Sequence, residues 1–370
     1  MRHVKRKAPI LRGLLKPIWE IPLDSVQPIS DIPVTKTNFQ TLTSYNLRYK
    51  RKSHIIVPGA PRVWKPSPVP FHVPPDAGRF ITDPNQFNFP GSPMAPLVEA
   101  ILSTRPNLRW RDVDFISDRK NLRLLMGFVT GKKDLFRIHV EVVKTTVIFT
   151  TWSSRKTYFV RGFGGYGHEF ENVRTAEARH THGSLIHNRI VQYGLGGYSI
   201  ILRFEVDACL SVDADYDSTM GAVTQTANGA TLISAGTLVQ DSQIVEIKTG
   251  PAGKSLDKTD TLSQMWFSET PILCTGHYRD DGIFKSTKQR NIGARGKLVG
   301  WEKRHQDGLR KLVRILELIA QFGKQGIRKF ALVHDGSGIL RVFQEHDPEK
   351  RGLSEHHLAL WDNVPAVESS

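Results

Sequence analysis

Two short stretches, Phe204-Glu205-Val206-Asp207-Ala208 and Ile244-Val245-Glu246-Ile247-Lys248-Thr249, decide how this chain is read. Each sets two charged residues two positions apart inside an apolar, β-branched run. Along a strand, residues i and i+2 leave by the same face. Glu205 and Asp207 therefore project together, as do Glu246 and Lys248, while Val206 and Ile247 turn toward a core. Side by side, the two strands would gather three carboxylates and one ammonium. Unpaired buried carboxylates are very costly, so such a group is expected to hold metal. Carboxylate oxygens suit Mg2+ or Mn2+, and two such ions close together are a device for hydrolysing phosphate esters. The bland alternative is a surface ladder of salt bridges. The apolar residues Ile200, Ile201, Leu202, Ile244 and Val245 argue against exposed strands.

The surrounding composition narrows the class. At 370 residues, 39% hydrophobic and 24% charged, the chain fits a globular protein. Its longest apolar run, 312–322, is interrupted by Arg314, Glu317 and Gln321, so no membrane partner is expected. The start has no apolar h-region, so no secretory signal is expected. The two cysteines, Cys209 and Cys274, exclude a disulfide framework and a four-cysteine zinc site, and read as buried thiols. A net charge of +15 points to a polyanionic partner. The cations cluster at Arg2, Lys5, Arg6 and Lys7, at 48–52, and at 285–304, where seven face one acid, Glu302. The first cluster reads as a nuclear-import signal or as a frayed basic tail. The nucleus, and also the cytoplasm, is the expected location.

Along the chain, residues 1–90 carry Pro58, Pro61, Pro66, Pro68, Pro70, Pro74 and Pro75, and read as an extended arm that wraps the core. Residues 91–346 read as one α/β core with a mixed sheet flanked by helices, and 347–370 as a tail. Within the core, helices are expected at 92–104, 168–178, 258–267 and 304–323. Strands are expected at 122–129, 135–143, 145–151, 198–210, 243–249 and 272–279, with a closing hairpin of 330–334 and 339–344. Residues 212–240, rich in Asp, Ser, Thr, Ala and Gly, read as a mobile surface insertion. His180, His182 and His187 have partial metal-ligand spacing, but their polar setting suggests an exposed loop.

Several motifs in this order resemble the decapping exoribonuclease (DXO) family, nucleases of the wider PD-(D/E)-x-K fold. Arg119 looks like the family's arginine beside the site. Gly167-His168-Glu169-Phe170-Glu171 matches a G-x-x-F-E helix start, with histidine where the family usually has an aromatic. Glu205 and Asp207 match E-x-D, and Glu246 and Lys248 match E-x-K. Gln264 matches a glutamine on the next helix, and Gly276-His277-Tyr278-Arg279 looks like a G-[FY]-R strand with one extra residue. The resemblance runs from about residue 32 to the final hairpin and is absent over 212–240. It implies a PD-(D/E)XK-like fold and removal of incomplete or NAD-type caps from RNA 5′ ends, with 5′-to-3′ trimming. It implies two Mg2+ or Mn2+ ions, the Ile247 carbonyl as a further ligand, and, in fungal members, docking on a larger 5′-3′ exoribonuclease. Helix geometry separates Glu171 from Glu169, because two residues along a helix turn by roughly 200°. Glu171, Asp207 and Glu246 are thus the expected direct metal ligands, with Glu205 binding directly or through water; Lys248 is expected to stabilise charge on phosphate or orient the attacking water, and Arg119 and Gln264 to position RNA. A scaffold that stabilises a partner nuclease, and a DNA nuclease of the same fold, are the other readings.

Overall fold

The computed structural model describes residues 9–49, 51–162, 164–212, 221–254, 258–279 and 281–362. The N-terminal part forms β1 (Leu14–Pro22), β2 (Lys36–Arg48), β3 (His54–Gly59), β4 (Val63–Trp64), β5 (Phe71–His72) and β6 (Gly78–Ile81). Then come α1 (Pro84–Asn88), α2 (Ala95–Thr104), β7 (Phe115–Asp118), α3 (Arg119–Val129), β8 (Phe136–Val143), β9 (Thr146–Thr151) and β10 (Thr157–Val160). The centre of the chain is α4 (Gly167–Arg174), β11 (Thr175–Ala176), β12 (Ser184–Leu195), β13 (Tyr198–Glu205), β14 (Ala208–Cys209), β15 (Val223–Gln225), β16 (Thr231–Gly236) and β17 (Ile244–Pro251). The last part is α5 (Lys258–Ser268), β18 (Ile272–Tyr278), β19 (Ile283–Asn291), α6 (Lys297–Arg304), α7 (Gln306–Gly323), β20 (Lys329–His334), β21 (Ile339–Glu345) and α8 (Glu355–Leu358).

Two mixed sheets carry the molecule. The larger has twelve strands in the order β1-β21-β20-β8-β9-β7-β13-β12-β2-β3-β16-β15, and the smaller seven in the order β11-β4-β14-β17-β18-β19-β5. A small ladder pairs β10 with β6. The β12–β13 hairpin is closed by Gly196-Gly197, both at positive φ, as a tight two-residue turn needs. A side chain on Gly196 would collide with Val313 of α7, which packs against that corner. α7 buries Leu309, Leu312, Ile315, Leu316, Ile319 and Phe322, a helical stripe against the largest core cluster.

Several expectations need correcting. Residues 122–129 are helix, not strand: Leu122, Leu125, Met126 and Val129 are buried at helical spacing, and the intervening Leu124 and Phe128 had hidden that period. The described part of residues 1–90 supplies strands to both sheets rather than wrapping around them, and β2 lies between β12 and β3. β2 buries polar Thr43, Ser44 and Asn46, so no apolar alternation announced it. Two of these residues find nearby backbone partners: Ser44 Oγ donates to the Pro58 carbonyl, and Asn46 makes two bonds with the Ala60 backbone. The described part of the expected tail, up to residue 362, is packed through Trp361, and the rest lies outside the described residues.

The expected insertion at 212–240 is structural over its described part. β16 pairs in parallel with β3 over six residues, and Ile233 and Ala235 are buried beside Ile56. Thr226 and Asn228 donate to the buried Glu99 of α2. Replacing 212–240 with a short Gly/Ser linker is therefore expected to expose β3 and destabilise the protein. Circular dichroism melts of that variant should lose the native transition or shift it down by many degrees. An unchanged melt would show that β16 is dispensable.

Candidate active site

Glu205 ends β13, and there the chain leaves the large sheet. The Val206 N–H still donates to the His187 carbonyl at 3.0 Å, whereas Ala208 and Cys209 pair with Val245 and Ile244 of the small sheet. The expected single strand over 198–210 is thus two strands in two sheets, with Asp207 in the passage between them. One more step of the β14–β17 register would set Asp207 opposite Glu246, but the backbone ladder stops at Ala208. The Ile247 N–H donates instead to Asp207 Oδ2 at 2.7 Å. The N–H and C=O of a strand residue leave on one side, so the Ile247 carbonyl faces the same gap.

Glu246 is the inner member, 2% exposed. Its Oε1 accepts from Lys248 Nζ and from Gln264 Nε2, the latter at 2.6 Å, and its Oε2 from Arg119 Nη1 at 3.4 Å. Arg119 opens α3, also donates to Ser268 Oγ, and lies over the Phe204 ring. Arg119 and Gln264 thus converge on Glu246 and position that carboxylate directly. Glu171 arrives on α4, which is seated by Phe170. That ring rests over Gly276, where an added Cβ would come within 2.5 Å of it, and against Phe71 and Phe284. The next residue, Glu171, lines the cleft, while Glu169 does not.

The charges show what it costs to hold these acids together. Burial, then Asp207 and Glu205, push the Glu171 carboxyl well above its ordinary range. Burial, then Glu246, push Asp207 up to about 7. Glu205 is exposed by its own surface area, yet the surrounding cleft walls still desolvate it enough to raise it. Burial would raise Glu246 too, but Lys248 and Arg119 outweigh it and hold Glu246 low. Lys248 is raised by Glu246 and Asp207 against its burial. Both cations are committed to Glu246, which leaves Glu171, Glu205 and Asp207 as an acidic set short of positive charge. That donor set fits a hard divalent cation. Among the described residues, no three such side chains already stand at chelating positions. Glu246 is turned to its three donors and Asp207 to the Ile247 N–H, so a bound ion would need those side chains to turn.

The titration of Asp207 has a definite sign. Between about pH 4, the ordinary aspartate value, and about 7, the folded carboxyl keeps a proton that the unfolded chain has lost. The stability this confers is full below about pH 4 and is lost as pH rises through about 7. Metal-free Asp207→Asn is therefore expected to melt above the wild type at pH 8 in EDTA, with the gap closing toward pH 4. A gap independent of pH would contradict the raised carboxyl.

Two clefts meet here and share Glu205. One, of about 500 Å3, is lined by Glu171, Asp207, Asn172, Arg62, His168 and Tyr158, among others. The other, of about 300 Å3, is lined by Arg119, Lys120, Arg123, Arg203 and Ser153, among others. On the wall of the first, His168 stacks on Phe80 at 4.4 Å, and Phe80 on Tyr158 at 5.5 Å.

A family model described as a domain of unknown function, DUF8563, matches residues 21–350. The chain belongs to that family. No curated protein matches it. Among solved structures, Rai1 of S. pombe is similar at TM-score 0.58 and 16% identity, over 88% of this chain and 99% of that one. Scheffersomyces stipitis Rai1, in complex with (3′-NADP)+ and calcium ion, gives 0.60 and 10%, over 95% and 100%. Candida albicans Rai1, in complex with pU5-Mn2+, gives 0.58 and 11%, over 94% and 100%. At these identities the likeness is one of fold, and the expected α/β class with mixed sheets flanked by helices holds for this DUF8563 chain.

The structure brings Glu171, Glu205, Asp207, Glu246, Ile247, Lys248, Arg119 and Gln264 of the DUF8563 chain to one place. Sequence reasoning missed two supports. Asp76 caps α4 from outside: its Oδ1 accepts the Glu169 N–H at 2.9 Å and its Oδ2 the His168 N–H at 3.3 Å. It lies among prolines far from the helix in sequence, and no local pattern marks it. Arg203, two residues before Glu205, grips Asp118 with two bonds of 2.6 and 3.0 Å and so ties β13 to the start of α3. The cue was an arginine within a buried strand, which needs a partner. The histidine cluster is not one exposed loop: His187 is buried against Asn46, while His182 is exposed beside Glu177.

Proposed function

We propose that this protein is a divalent-metal-dependent hydrolase of RNA 5′ ends, which removes incomplete or NAD-type caps and trims 5′ to 3′. The observation that carries this reading is the acidic set of Glu171, Glu205 and Asp207 beside Glu246 and Lys248, at the junction of two clefts. Glu171, Glu205, Asp207, Glu246 and the Ile247 carbonyl would hold Mg2+ or Mn2+. When bound, such ions polarise phosphoryl oxygens and lower the pKa of water. The chain's own residues do the rest. Lys248 places a permanent ammonium where charge builds on phosphate. Arg119 and Gln264 keep Glu246 oriented. The first cleft, with its stacked rings, suits the terminal cap-like group, and the second, with Lys120 and Arg123, suits the following phosphates. The reading is supported by the complexes of the fold neighbours with a cap-like dinucleotide and with pU5-Mn2+. A nuclear location goes with this role.

The test is product analysis on 5′-labelled RNAs bearing monophosphate, triphosphate, unmethylated-cap and NAD ends, in Mn2+ and in EDTA. Hydrolysis in Mn2+ alone is expected. Glu171→Gln should be inactive and Glu169→Gln nearly normal, and the reverse would misplace α4 in the chemistry. A wild-type protein that hydrolyses none of the four RNAs would favour a scaffold for a larger 5′-3′ exoribonuclease. Preference for DNA would make it a DNA nuclease.

A further inference from the structure

We propose that β19 and α6 form a second RNA-binding surface, which holds the phosphates of the strand outside the catalytic clefts. The inference rests on the reading that the substrate is RNA. Residues 285–304 carry seven cations against one acid, Glu302, whose carboxylate accepts the Trp266 indole N–H at 3.0 Å. Lys285, Lys288 and Arg290 of β19 and Lys297, Lys303 and Arg304 of α6 are all exposed. Among the described residues, none of these six has a carboxylate partner. Cations elsewhere are paired more often: Arg341 with Glu20 and Asp335, Lys311 with Asp307, and Arg314 with Glu317.

Strand register places this surface relative to the site. Lys248 is level with Thr275, and Thr275 with Lys288; Glu246 is level with Leu273, and Leu273 with Arg290. Residues in register across strands share a face, and neighbouring strands lie about 4.8 Å apart. The Lys288 and Arg290 backbones therefore sit roughly 10 Å from those of Lys248 and Glu246, on the face that carries the catalytic pair. Thr275, between them, is buried, so Lys288 and Arg290 emerge on the outer flank of the sheet.

Exposed lysines on an edge strand also discourage strand pairing, and β5 covers β19 only at Ile283 and Phe284. Edge protection does not account for Lys297, Lys303 and Arg304, which belong to a helix. α6 starts just past the end of β19, where the Lys297 N–H donates to the Ile292 carbonyl at 3.0 Å, so a polyanion passing the Arg290 end of β19 meets both.

The experiment measures binding of a 5′-phosphorylated 20-nucleotide oligo(U) in EDTA across a salt series. The variant is Lys288→Gln, Arg290→Gln and Lys303→Gln together. The control removes equal charge at exposed Lys16, Lys324 and Arg328, two of which lie at or beyond the far end of α7, about 27 Å from its start. Each phosphate that the protein no longer neutralises flattens the slope of log K against log salt by about 0.7, so the slope of the variant should be shallower by about 2. It should bind at least about 10-fold more weakly at low salt, while the control stays near wild type. Equal losses in variant and control, or no loss in either, would overturn the proposal. So would an unchanged RNA slope with a reduced slope for polyglutamate, which would make this a face for acidic protein. Hydrolysis of a 5′-phosphorylated dinucleotide separates the two readings. Its presence with an unchanged 20-mer slope sinks only the surface, and its absence in wild type with a reduced slope sinks only the catalytic reading.

Discussion

Asp207→Ala is expected to remove Mn2+-dependent hydrolysis of RNA 5′ ends while the protein stays folded. Loss of an outer partner of a metal ligand costs about 10–100-fold in affinity or activity, and loss of a carboxylate at the centre of the acidic set should cost more. Asp207 is placed by the passage of the chain from one sheet to the other, and its carboxylate accepts the Ile247 N–H. Removing it leaves that N–H without its acceptor but relieves repulsion on Glu171, whose carboxyl Asp207 helps to hold high. The metal-free variant should therefore melt near the wild type. Calorimetric titration with Mn2+ should show weakened binding, and single-turnover assays should show no product. Wild-type hydrolysis by a purified, folded variant would remove Asp207, and with it the proposed site, from the chemistry.

Trp361→Ala should cost about 3–5 kcal/mol of stability. Trp361 is fully buried, packs on Trp110 at 5.0 Å and donates its indole N–H to Thr146 Oγ1 at 2.7 Å. Its cluster contains Val98, Ile101 and Ile148, so it closes the side of the large sheet that α2 covers. Against a typical domain stability of about 5–15 kcal/mol, such a loss is a large fraction. Urea titration should show a lower midpoint with a similar slope. A shift under about 1 kcal/mol would mean that the last described residues only rest on the core.

The acidic site was legible because charge inside an apolar strand is too costly to be accidental. Glu205, Asp207, Glu246 and Lys248 announced themselves by that cost, and Glu171 by the Phe-Glu pair that seats one residue and exposes the next. β13, β17, α5, α7 and the β20–β21 hairpin were likewise readable, the helices by an apolar stripe and the strands by short apolar runs, which in β13, β17 and β20 are buried on both faces. What the sequence by itself determined is therefore the identity of the charged residues and the elements that carry them. Tertiary structure alone decided the rest. β2 is inner despite its polar residues because Ser44 and Asn46 find backbone partners 14 residues away in the chain. Residues 231–236 are a strand because β3 offers them a parallel edge, and α3 is helical because its stripe meets α7 and the sheet. Arg119 and Gln264 serve Glu246 because folding directs both to one carboxylate, and Asp76 caps a helix about 90 residues further along the chain. Such pairings depend on which groups lie across a gap between distant segments, and local periodicity holds no record of that.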